Sequence, residues 1–167
     1  KVKIDNINGS NLTFQFKHRT KYYQRSRQIS IFSDKNQLTH RIYEFALYSQ
    51  NNSSNLQWSI GRHSIAQVRG VGFIDGLFIS RRLSQNLSTG IVVGAEPDYL
   101  DQKIDFNKKK TAIYFTYTKG EYSKRRFSMS VAISGSYLSN SINREFISLS
   151  SNYYSSKISF NQSIEID

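Results

Sequence analysis

Period-two alternation of apolar and polar positions recurs along almost the whole chain, and helical spacing is nearly absent. Arg126–Leu138 reads RFSMSVAISGSYL. Phe127, Met129, Val131 and Ile133 alternate with Ser128, Ser130, Ala132 and Ser134. That is the signature of a strand with one apolar and one small polar face. The same period predicts strands over 2–7, 12–17 running on toward Tyr23, 27–32, 41–49, 56–61, 69–83 and 89–96. Four more follow over 111–118, 126–138, 143–153 and 158–166. Asn8-Gly9-Ser10 and Gln50–Asn55 read as turns, and 98–110 as the longest polar connection. Gly70, Gly72 and Gly76 interrupt the 69–83 segment and predict a bulge or a close backbone approach.

Several of these connections are too short for a parallel crossover, which needs a dozen residues or more, so neighbours in sequence are expected to pair antiparallel. The expectation is an all-β chain: an antiparallel up-and-down meander of about ten strands, part or all of a transmembrane β-barrel. No linker or charge block divides residues 1–167, so a single domain is expected.

Alternation by itself fits two opposite solvents. A soluble sandwich or barrel buries its apolar faces, whereas a membrane barrel turns them to lipid and lines its interior with polar groups. Three features favour the membrane reading. Residues 126–138 and 143–153 reach the ~9–11 residues a tilted spanning strand needs, beyond the ~5–6 of ordinary strands. Tyr22, Tyr23, Tyr99, Tyr122, Tyr137, Tyr153 and Tyr154 lie near predicted strand ends, as interface aromatics would. The face opposite the apolar one is rich in Ser, Asn, Gln and Thr. Phe127, Met129, Val131 and Ile133 are accordingly expected to face lipid. The alternative is a soluble secreted β-domain that binds glycan or a protein partner through exposed tyrosines.

Composition changes this picture in two ways. The 167 residues include no Cys, which removes thiolate chemistry, disulfides and cysteine-held zinc. The formal charge is +11. Its cations cluster near strand ends (Arg81-Arg82, Lys108–Lys110, Lys124–Arg126), which suits lipid head groups better than one nucleic-acid stripe. Outer-membrane lipid or lipopolysaccharide is therefore the expected partner, and no nucleic acid is expected. A mean hydropathy of -0.53 is compatible with a barrel, because half of every spanning strand is polar. Strand pattern runs to both ends of the chain, so a piece of a longer protein is expected.

Signals for chemistry are weak. His18, His40 and His63 lack metal-ligand spacing and are expected at rims or turns. No nucleophile elbow or phosphate loop is present. Glu96 and Asp98 read as a turn with an ion pair rather than as a catalytic dyad. No catalytic residue, metal or cofactor is expected. Mid-strand charges carry more information: Glu44, Arg62, Arg69, Asp75, Glu96, Arg144 and Glu145 should avoid lipid, face the interior or a rim, and pair across strands.

A series running Arg41-Ile42-Tyr43-Glu44-Phe45, Ile60-Gly61-Arg62, Gly70–Gly76, Gly94-Ala95-Glu96-Pro97-Asp98-Tyr99 and Arg144-Glu145-Phe146 resembles the barrel region of poorly characterised bacterial outer-membrane β-barrel proteins. The resemblance spans about residues 39–167. It implies an outer-membrane location, a channel-like or scaffold role, further strands and a signal peptide outside this stretch, and a periplasmic domain of the same chain. It implies no reaction.

Overall fold

The computed structural model describes all residues except 24–36, 50–53, 99–103 and 122–123; the side chains of Tyr23 and of 37–39 are also left undescribed. The architecture is one ten-stranded antiparallel sheet in strict sequence order. The strands are β1 (Val2–Ile4), β2 (Leu12–Tyr23), β3 (Gln37–Ser49), β4 (Leu56–Ile65), β5 (Gly72–Arg82), β6 (Leu87–Pro97), β7 (Ile104–Glu121), β8 (Arg125–Leu138), β9 (Ser141–Ser155) and β10 (Ser159–Ile166). The expected meander is present. The sheet is not closed: its order begins at β1 and ends at β10.

Two local expectations need correction. Residues 98–110 are not mainly a connection, because β7 begins at Ile104 and takes in Lys108–Lys110. Pairing supplies what composition hid: Lys109 lies opposite Ala95 on one side and Tyr137 on the other. The 69–83 segment starts later, at Gly72, since positive φ at Gly70 and Gly72 turns the chain there. A strand over 27–32 falls outside the described residues.

Residues that share a face are fixed by register. One face carries a cross-strand row of Trp58, Ile79, Ile91, Ile113, Ile133, Ile147 and Ile166, unbroken from β4 to β10. The other face is covered by the β4–β5 turn. Val68 and Val71 of that turn pack with Ile65, Ile74, Phe78, Val92, Ala112, Tyr114 and Ala132 to form the buried core. Arg69 reaches Ser163 Oγ at 2.6 Å and Asn161 Oδ1 at 2.8 Å on β10. Five strand spacings separate β5 from β10, roughly 24 Å on a flat sheet. Three residues and one side chain do not span that distance, so the sheet curls around the turn. Gly61, Gly76 and Gly94, in register on β4, β5 and β6, supply a corner: at each, a Cβ would collide with the backbone of the neighbouring strand.

Candidate functional site: a filled interior and a bare apolar wall

The bare wall follows directly from the alternation. Each isoleucine of the cross-strand row is between 38% and 64% exposed. Phe115, Met129, Val131 and Phe160 on the same face are also exposed. A monomeric soluble protein rarely leaves so continuous an apolar surface uncovered. Phe127, Met129, Val131 and Ile133 all lie on this face and are exposed.

The covered face has two zones. Toward the short turns it is polar: Thr116 and Ser130 hydroxyls bond at 2.7 Å, and Thr118 and Ser128 at 3.2 Å. Ser150 and Asn152 continue the same rows on β9. Toward the other end the β4–β5 turn fills the interior. Tyr114 leans over Gly90, stacks on Phe78 at 6.1 Å and donates its hydroxyl to Ser80 Oγ at 3.0 Å. Gly70 of the turn sits against the Phe146 ring, and Lys110 Nζ donates to the Val71 carbonyl at 2.9 Å.

The charged residues singled out in the sequence divide between the faces. Arg69 holds the turn to β10, as described. Glu96 pairs with Lys110 at 3.3 Å, and Arg144 with Glu165 at 3.0 Å and Asp167 at 2.7 Å, all on the covered side. The Arg144 guanidinium also lies over Phe146 at 4.3 Å. Glu44 accepts from the Tyr48 hydroxyl at 2.6 Å. These form local pairs and bonds, and among the described residues no single chain of contacts links them all. A cavity of about 120 Å³ lies between the turn and β6–β9, lined by Glu96, Lys110, Ser134 and Arg144 among others. The buried Ser134 hydroxyl has no hydrogen-bond partner among the described residues.

The other three do not face the interior. By register Arg62 and Asp75 lie on the face of Phe45, Ile60 and Leu77. Arg62 Nε and its terminal nitrogen reach the two Asp75 carboxylate oxygens at 2.6 Å each. Both side chains are 8% exposed. Ile42, Tyr43, Phe73 and Pro97 surround a small cavity of about 50 Å³ beside Arg62. Arg62 also donates to the Ile42 carbonyl at 3.4 Å, and the ion pair with this backbone bond offsets the cost of an apolar face without turning inward. Glu145 is likewise on the bare side, at the rim, where it accepts from the Tyr137 hydroxyl at 2.8 Å.

His63 also departs from expectation. It is buried within β4, with Nε2 2.9 Å from Ser59 Oγ and Nδ1 3.0 Å from the Gly61 carbonyl oxygen, because its register places it on the covered face opposite Ile74. His18 and His40 are exposed and stack at 5.4 Å near the end of the β2–β3 pair. Tyr22, Tyr137 and Tyr153 lie on the bare side near strand ends. Tyr154 alternates to the other face, opposite Arg126. Tyr99 and Tyr122 lie outside the described residues, and Tyr23 is described as backbone alone. Tyr117, 40% exposed, shares the bare face, opposite Met129.

Among the described residues no group of three His, Asp or Glu side chains is placed to hold a metal ion. Among the same residues no helix is long and apolar enough to cross a membrane, which says nothing about crossing by strands. Comparison with protein-family models, curated proteins and solved structures finds no match, so the functional case rests on the geometry.

Proposed function

We propose that the chain is a wall segment of an outer-membrane type β-barrel, channel-like or scaffold in role, with its interior stoppered by the β4–β5 turn. The bare isoleucine row carries this reading. Six isoleucines in register on six adjacent strands present one apolar band with nothing of the described chain over it. Water disfavours such a band, and an acyl-chain environment favours it. The strands support it too: β7, β8 and β9 run for 18, 14 and 15 residues, long enough to cross a bilayer at a tilt. The interior contributes a role. A polar lower zone holds water, while the turn and its core block the other end. The resting state is therefore a closed path or a braced scaffold, and passage requires the turn to move.

Trp58, the single tryptophan, stands at the head of the isoleucine row. Protein reconstituted in vesicles with brominated acyl chains should show Trp58 fluorescence strongly quenched relative to unbrominated vesicles. Equal fluorescence in the two, with a monodisperse monomer in detergent-free buffer, would overturn the membrane reading.

A further inference from the structure

The two rims of the sheet carry charge differently. At the rim of the β4–β5 and β8–β9 turns, the cations are engaged: Lys110 by Glu96, Lys108 by Asp105, Arg144 by two carboxylates, and Lys109 by Asn140. At the opposite rim, built by the β5–β6, β7–β8 and β9–β10 turns, Arg81, Arg82, Lys119, Lys124 and Arg125 are exposed. None of these five forms an ion pair among the described residues, and Glu121 is the one acid of the β7–β8 hairpin tip there.

Their placement adds a second regularity. On β5 the bare-face column runs Leu77, Ile79, Arg81. On β7 it runs Phe115, Tyr117, Lys119, and on β8 Met129, Phe127, Arg125. Three apolar columns thus end in a cation on the same face and at the same rim. Tyr117 and Phe127 stand one step inside those cations. A long basic side chain in that position lays its methylenes on the apolar wall and lifts its charge to the polar boundary. An aromatic just inside it occupies the boundary itself.

We infer that this rim is a docking site for the phosphate groups of anionic membrane lipids. Arg81, Lys119 and Arg125 clamp head groups whose acyl chains lie along the columns below, and Arg82 and Lys124 add to the field. The inference rests on the membrane reading above. Phosphate is the chemistry that fits: a guanidinium offers paired donors to its oxygens, and an ammonium offers a point charge. A nucleic acid shares that phosphate, but it does not use an apolar wall directly beneath the cations.

The test measures lipid selectivity of the intact chain. Wild type and the triple variant Arg81→Ser, Lys119→Ser, Arg125→Ser are reconstituted in phosphatidylcholine alone and with phosphatidylglycerol added. Spin-labelled lipids report which species is held at the protein surface. Wild type should prefer labelled phosphatidylglycerol, and the variant should lose most of that preference, about fivefold per cation where each acts fully. Lys109→Ser at the opposite rim should leave it unchanged. Insertion into both bilayers with no preference in wild type, or with preference unaltered in the triple variant, overturns the lipid site and leaves the membrane reading standing. Failure to insert into either bilayer overturns both. Tight binding of a single-stranded oligonucleotide that the triple variant abolishes would assign the rim to nucleic acid instead.

Discussion

Two ion-paired arginines near the same end of the sheet show how differently its faces treat charge. On the covered face Arg144 shares two carboxylates, and all three side chains keep between 34% and 63% of their surface exposed. On the bare face Arg62 and Asp75 close on each other through two short hydrogen bonds and are 8% exposed. A polar wall leaves water to solvate what a partner does not, so its pairs stay open and multiple. An apolar wall offers no such help, so a charge there persists only if its partner meets every strong demand. The lesson is that a mid-strand charge does not by itself reveal which face is wet.

The largest effect should come from breaking the closed pair. Asp75→Ala leaves Arg62 buried without its carboxylate, and the cost of stranding such a charge is about 3–5 kcal/mol. Asp167→Ala, which removes one of the two exposed partners of Arg144, should cost less than about 1 kcal/mol. Urea unfolding of the two variants in one detergent measures the contrast. Equal losses would show that the two faces do not differ in the way proposed.

A second substitution pair sharpens the comparison at mid-sheet. Ile133→Lys places a cation in the middle of the isoleucine row and should destabilise the bilayer-embedded protein by about 2–4 kcal/mol. Ser130→Lys, on the polar zone of the same strand, should cost far less, because that zone is lined by hydroxyls and Asn152. Unfolding from lipid vesicles tests the prediction. A larger loss at Ser130 than at Ile133 would reverse the assignment of faces.

Much of this was legible in the chain itself. The RFSMSVAISGSYL alternation identifies β8 and its exposed face correctly, because period two is a local property that register does not alter. The sequential topology follows from turn lengths. Non-local features were out of reach. The isoleucine row exists only because six strands align in one register, and no window of sequence contains it. Lys108–Lys110 look like a loop until their partners on β6 and β8 are known. The inward path of Val68–Val71 depends on a core drawn from five strands and on Arg69 meeting β10. Arg62 and Asp75 were recognised as charges needing partners, and their pairing satisfies that need. Their position on the face of Ile60 and Leu77 follows from alternation along β4 and β5.

The smallest effect should arise where the covered face meets the free edge of the sheet. Asp5, just after β1, lies 2.9 Å from Lys3 Nζ and accepts from the Thr13 hydroxyl at 2.8 Å. The Lys3 hydrogen bond first, and that of Thr13 second, hold its carboxyl below the usual aspartate value. A group whose folded pKa is depressed contributes stability that is present in full above its unfolded value, near 3.9, and lost as pH falls through the folded value. Acidification should therefore release β1 from β2 without disturbing the centre of the sheet, and the change should be slight because both side chains of the Lys3–Asp5 pair are about half exposed. Amide exchange of residues 2–4, followed from neutral pH to below 4, measures it. Asp5→Asn should flatten the dependence. An equal acid sensitivity in wild type and Asp5→Asn would place its origin elsewhere than Asp5.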